Sequence, residues 1–277
     1  MNLNIIKKIG KNLILLCYLI FLAFPLFWMV SISLKPTSEI RSLVPKLWPE
    51  NITFQHYINA FTEQRIIESI FNSAKVGILA TIGVILISIP AAYALGRYKT
   101  KVNKGVIAWV MVSQLFPAIL VMIPLFVVLM NIGLIDSHIG LTILYVVWTL
   151  PFVLMMLKGY VQGIPIELEE AAAVDGATRS QILFKVVMPL LLPGIAATSI
   201  FAFISAWNEF FFALVLLKSP ELLTLPVKLA RFTGMEGIVR LGPLAAASFV
   251  ATIPALILFG FLQKWLVSGL TSGAVKY

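Results

Sequence analysis

The chain has 277 residues, 60 % of them hydrophobic and only 12 % charged, with a formal net charge of +9. An ordinary soluble domain is about half apolar and about a quarter charged, so the composition excludes one and points to a polytopic membrane protein. The positive balance is not that of a nucleic-acid binder, because no basic patch interleaved with aromatic residues occurs; it reads as a basic membrane face.

A bilayer core of about 30 Å takes about 20 mostly apolar residues per helix. Six stretches meet that length, at residues 12–34, 70–96, 106–130, 139–160, 187–217 and 243–268. The expected fold class is an all-α membrane protein, a single transmembrane domain over 1–277 with six spans, and the even count puts both termini on one side. Cytoplasmic flanks retain Lys and Arg. Placing the termini inside collects twelve of the 21 basic residues there, among them the cluster in "GRYKTKVNKG", Gly96 to Gly105. The first apolar run is longer than a 7–15-residue signal core and lacks a small-x-small cleavage site, so it counts as a span.

Other local signals are weak. The single cysteine, Cys17, rules out a disulfide framework, and His56 and His138 fall far apart in outer loops, so no metal ligand set is expected. The outer segment from Lys35 to about Ser69 carries two prolines and spaced aromatics, which suggests an ordered cap at the membrane surface with Trp48 and Tyr57 near the headgroups. Pro25, Pro90, Pro117, Pro124, Pro151, Pro193 and Pro254 lie inside predicted spans, where they kink helices.

The stretch "GIPIELEEAAAVDGATRSQILFKVVMP" breaks the apolar pattern. Pro165 suits the first helical position, where its missing N–H costs nothing. Glu167, Glu169 and Glu170 follow where the helix dipole favours negative charge. Ala171, Ala172 and Ala173 continue the helix. Asp175-Gly176 stops it, and Thr178 with Gln181 has the capping-box spacing that starts another. The expectation is a helix-turn-helix on the cytoplasmic face between spans 4 and 5, over 163–189. A helix lying flat on lipid would carry basic residues on its polar face, and this one is acidic. Its alanines permit close approach by another protein.

Glu170-Ala171-Ala172, then Gly176 after three residues, then Val186-x-Met188-Pro189 after nine more, resembles the EAA signature of ABC importer permeases. "FLAFPLFWMVSISLKP", "PAAYALGRYK", "QLFPAILVMIPLF", "NIGLIDSHIGLTI", "SAWNEFFFAL" and "LVSGLTSGAVKY" extend the likeness, over nearly the whole chain, to the smaller permease subunit of maltose- and trehalose-type carbohydrate importers. The resemblance implies a type I importer permease fold in the cell membrane, half of a sugar pathway shared with a second permease. Two cytoplasmic ATPases, holding ATP and Mg, would power it, and an extracellular sugar-binding protein would feed it. It implies ATPase-coupling contacts at Glu170, Ala171, Ala172, Asp175 and Gly176. It also implies that Gly269, Thr271, Ser272, Gly273, Ala274, Val275 and Lys276 form a C-terminal tail reaching between the ATPases, with Tyr277 departing from relatives that end in glycine.

The chain itself is expected to bind no cofactor and to be no enzyme, since G-x-x-x-x-G-K-[ST] is missing and no nucleophile motif or clustered carboxylates lie in the spans. The clearest intramembrane acid is Glu209. Read as continuous helix, Ser205, Asn208, Glu209 and Phe212 share a face that suits sugar hydroxyls and a stacking ring, while Trp207 points toward the interface. Polyol or glycerol-phosphate import by a related permease is the nearest alternative. An ion-coupled carrier is more remote, because one acid near the outer edge is a poor basis for proton coupling.

Overall fold

The computed structural model describes residues 3–62, 64–98, 100–232 and 239–273, with side chains described within 7–261. The helices in chain order are α1 (Leu3–Leu34), α2 (Thr37–Ile40), α3 (Gln55–Thr62), α4 (Ile66–Arg97), α5 (Lys101–Ser113), α6 (Ala118–Asn131), α7 (His138–Gly163), α8 (Glu167–Val174), α9 (Arg179–Gln181), α10 (Met188–Trp207), α11 (Phe211–Leu216), α12 (Leu225–Ala230) and α13 (Leu241–Gly273). A π-helical turn, Ile182–Val187, joins α9 to α10 without a break. Among the described residues, five helical stretches are long and apolar enough to cross a membrane, or six where the bent pair α5–α6 counts as one span.

Four expected spans fall within α1, α4, α7 and α13. The other two differ. Residues 106–130 do not make one continuous helix: α5 and α6 meet at 106°. Pro117, with ψ at 135°, stands as the N-cap of α6; proline lacks a donor and biases the residue before it away from helix. The other six prolines stay inside helices. Residues 187–217 are likewise interrupted after Trp207 and resume at Phe211.

The chain divides into two compact units, one of residues 1–68 and 228–253, the other of 69–227 and 254–277. In the first, α1 is exposed over most of its length and becomes buried only at its end, where Ser31, Ser33 and Lys35 lie beneath the following segment. Ser31 Oγ donates to Leu47 O at 2.5 Å, Lys35 Nζ donates to Lys46 O, and Thr53 N donates to Leu34 O at 2.9 Å. Glu39 accepts from the amides of Glu50 and Asn51, both at 3.1 Å. Tyr57 hydroxyl meets Ser33 Oγ at 2.8 Å, and Trp48 stacks on Phe27 with centroids 5.9 Å apart. The segment is thus tied to the end of α1, by side chains there that donate to its carbonyls and by the Thr53 amide, which meets a carbonyl the helix C-terminus leaves open.

The second unit holds the bulk of the core. Val76 and Ala80 of α4, Leu144 and Tyr145 of α7 and Phe212 and Leu216 of α11 form one cluster. Val84 and Ala92 of α4, Leu157 and Val161 of α7, and Val187 and Leu191 form another. Apolar side chains gain little by leaving acyl chains for one another, so close packing sets helix contacts in lipid. At α7–α10, a Cβ on Gly194 would sit 2.5 Å from Tyr160 Cγ, so only glycine admits that approach.

Candidate functional site

The helix-turn-helix forms from the local signals of the sequence, with one shift at its start. Ile166 is the N-cap of α8, and its carbonyl accepts from Glu169 N at 2.9 Å and Glu170 N at 3.0 Å. Pro165 therefore lies one residue before the cap rather than at the first helical position, where it still ends the preceding helical path. At the other end Gly176 has φ +84°. Its amide donates to Ala173 O at 3.0 Å, and Ala177 N donates to Ala172 O at 3.0 Å. This pair of crossed bonds is the Schellman motif, which an L side chain at Gly176 would strain. Thr178 and Gln181 close a reciprocal capping box, with Thr178 N donating to Gln181 Oε1 at 2.8 Å.

What fastens this device is Glu169, a residue the sequence assigns only to the helix dipole. It is buried, and it accepts from Arg97 Nε at 2.7 Å and from Tyr93 hydroxyl at 2.7 Å. Both side chains of the pair are about nine-tenths buried, Arg97 at 10 % and Glu169 at 9 % exposure. Arg97 Nη2 also donates to Ile164 O at 2.9 Å, just before α8. The pair joins residues 72 positions apart, so no local pattern reveals it. A second tie places the Arg179 guanidinium 5.7 Å from the Tyr98 ring centroid.

With Glu169 turned inward, the opposite face of α8 is open. Glu170, Ala171, Asp175 and Gly176 are exposed, and Ala172 is half-buried against the core. Ile166, Leu168 and Val174 are exposed apolar neighbours, Val174 at 87 %. Periodicity over eight residues does not single them out.

Ser205, Asn208, Glu209 and Phe212 do not share a helical face. The helix ends at Trp207, and Asn208 Nδ2 folds back to donate to Ile204 O at 3.0 Å. Glu209 then caps α11: Oε1 accepts from Phe212 N at 2.8 Å and Oε2 from Ala213 N at 3.1 Å. Tyr145 hydroxyl donates to Oε2 at 2.7 Å. The carboxylate competes for amides that a continuous helix would spend on carbonyls, which is why reading one period through the segment fails. Phe212 is buried, at 2 % exposure. Ser205 is half-buried and Asn208 exposed. Trp207 is buried and stacks on Phe203 at 5.6 Å instead of marking an interface.

A third carboxylate orders the loop before α7. Asp136 accepts from Ser219 Oγ at 2.5 Å and from the amides of Lys218 at 2.8 Å and Ser219 at 3.0 Å. The Ser219 hydroxyl first, then the Lys218 amide, holds its carboxyl below the usual carboxylate range. Gly269, Thr271, Ser272 and Gly273 belong to the end of α13 by their backbone. Their side chains, and all of Lys276, lie outside the described residues. Among the described residues no three His, Cys, Asp or Glu side chains gather as metal ligands would.

A helical chain with five or six candidate spans among its described residues has the build of a polytopic membrane protein. The family model for the binding-protein-dependent transport system inner membrane component matches residues 85–272, and the chain belongs to that family. It is 51 % identical to a putative ABC transporter permease protein of Streptomyces antibioticus, over 82 % of this chain and 99 % of that one. It is 37 % identical to the diacetylchitobiose uptake system permease protein DasC of Streptomyces coelicolor, over 100 % of both. Identity to the trehalose transport system permease protein SugB of Mycobacterium tuberculosis is 36 %, over 91 % of this chain and 92 % of that one. A solved bacterial ABC transporter for import of the acidic polysaccharide alginate has a chain that superposes with TM-score 0.81 at 24 % identity, covering 96 % of this chain and 98 % of that one. The chain is thus a multi-pass membrane subunit of an ABC importer, and the ATPase lies in separate subunits.

Proposed function

We propose that the chain forms half of the pathway by which an ATP-driven importer takes up a sugar handed over by an external binding protein, the other half coming from a second permease. The named relatives are permeases for diacetylchitobiose and trehalose uptake, which supports a di- or oligosaccharide as cargo. In this reading both termini and α8–α9 face the cytoplasm, and α8 seats in a cleft of an ATPase subunit that holds ATP and Mg. The single observation that carries it is the buried Glu169–Arg97 pair beneath an exposed Glu170, Ala171, Asp175 and Gly176. A surface fixed from below and open above moves as one body with α4, so closure of the ATPases around ATP becomes motion of a span. The end of α13, from Gly269 through Gly273, with Lys276 beyond it, gives a second contact between the ATPases.

Ala172→Arg tests the reading. The variant complex assembles, but sugar uptake into proteoliposomes falls at least tenfold, and the ATPase no longer responds to the loaded binding protein. Wild-type uptake by an assembled Ala172→Arg complex sinks the docking role.

A further inference from the structure

The bend between α5 and α6 puts non-helical backbone, Gln114 to Pro117, inside an apolar stretch that would otherwise span. Lipid does not tolerate such backbone; it occurs where protein covers it or where it lines a watery cavity. The 13 residues of α5 advance about 20 Å from Lys101 to the bend. Trp148, the eleventh residue of α7, lies about 15 Å from that helix's first residue. These are about two-thirds and about half of the way across a core about 30 Å thick, in the central region where interrupted helices form solute sites in transporters.

A cleft of about 170 Å³ opens at this bend, lined by Trp109, Ser113, Gln114 and Phe116 on one side and Trp148 and Pro151 of α7 on the other. Trp109 is 75 % exposed, and Phe116 and Gln114 are exposed beside it. Trp148 is held edge-on against Phe212, with centroids 5.1 Å apart, and Phe212 is seated by the Glu209 cap. Ser113 Oγ donates to Val110 O at 2.8 Å, which leaves it as an acceptor. The Gln114 amide supplies both donors and acceptors. No charged residue lines the cleft.

We propose that this cleft is a subsite for a neutral pyranose ring in transit, its C–H face packed on Trp109 and Trp148 and its hydroxyls bonded to the Gln114 amide. The negative face of an aromatic ring attracts the polarised C–H groups of a sugar. The lining holds no cation to neutralise a phosphate or carboxylate, whose burial without one is costly, so the subsite selects against acidic cargo. It rests on the sugar-import reading and places solute on this subunit, at the bend and not along the helix that carries Ser205.

The test uses the full complex in proteoliposomes with its binding protein, Cys17→Ser throughout, and whichever of trehalose, maltose or diacetylchitobiose drives uptake, compared with glycerol 3-phosphate. Gln114→Cys is expected to react with a water-soluble methanethiosulfonate and to be protected severalfold by the neutral sugar during turnover, and not by glycerol 3-phosphate. Trp109→Ala, at an exposed position, is expected to lower uptake at limiting sugar about tenfold, the equivalent of one strong aromatic contact, with Trp109→Phe restoring most of it. A Gln114→Cys thiol that water cannot reach would mean lipid or the second permease covers the cleft, and overturns the proposal. So does labelling without protection, wild-type uptake by Trp109→Ala, or uptake of glycerol 3-phosphate as efficient as that of the sugar. Failure of the unsubstituted complex to move any of the three sugars counts against the import reading itself, and the subsite falls with it.

Discussion

Glu169 and Glu209 each accept a 2.7 Å hydrogen bond from a tyrosine on a neighbouring helix, Tyr93 of α4 and Tyr145 of α7, yet only Glu169 also meets a cation. Its other oxygen takes the Arg97 guanidinium across 72 residues of chain, whereas Glu209 takes the amides of Phe212 and Ala213, three and four residues on. A carboxylate matched by a buried charge can tie two segments that are remote in sequence. One satisfied by its own following amides fixes a local interruption. The first kind of joint suits passing a displacement from α8 to α4; the second keeps the span open beneath Phe212 and Trp148.

The contrast can be broken most strongly at Arg97. Removing one partner of a buried pair leaves an uncompensated charge and costs about 3–5 kcal/mol, so Arg97→Met should lower the melting temperature of the detergent-purified complex most. Adding Glu169→Gln to Arg97→Met should recover much of the loss, and a double variant no more stable than Arg97→Met alone would deny that charge is what the joint manages. Glu209→Gln keeps an acceptor oxygen and leaves no buried charge without its partner, so only the charge assistance of its bonds is lost. Its effect should be smaller and should be coupled to Tyr145→Phe in a double-mutant cycle, while Arg97→Met shows no such coupling to Tyr145→Phe.

A third comparison is between side-chain and backbone joints. Gly176→Ala forces a Cβ into the left-handed region at φ +84°, a strain of about 1–2 kcal/mol. Its cost should appear in coupling of ATP hydrolysis to uptake before it appears in melting temperature. The smallest effect is at Asp136, whose folded carboxyl lies below its ordinary value because of Ser219 first and the Lys218 amide next. Its stabilisation is fully present above the unfolded value of about 3.9 and is lost as pH falls through the lower folded value. Asp136→Asn should therefore flatten the acid limb of the stability profile and leave the neutral region little changed; an unaltered acid limb would count against the Ser219 clamp.

How much of this the sequence discloses follows from the range of each interaction. The end of α8 and the start of α9 are local: Gly176 and the Thr178-x-x-Gln181 spacing name their own bonds within five residues. The apolar length of α1, α4, α7 and α13 is likewise a local sum. Glu169 with Arg97 is not, since nothing near Glu169 distinguishes it from Glu167 and Glu170 on the same turns. Hydropathy also passes straight through Pro117 and Glu209, because a window that averages apolar character cannot register where the backbone turns. Six prolines that lie inside helices without ending them show why proline alone is an insufficient sign.

The π-helical turn at Ile182–Val187 sits between the capping box and α10. Such a turn is equivalent to one extra residue in an α-helix, and each residue advances the helix by about 100°. Everything before it is therefore clocked around the α10 axis relative to everything after it. Two surfaces that must face different directions, the exposed side of α8 and the buried side of α10 around Leu191, are oriented by that single added residue. Deleting one residue from the turn would leave composition, hydropathy and the capping signals nearly as they are and yet aim the loop about a quarter-turn away. The direction in which the exposed side of α8 faces is thus encoded as a count of residues.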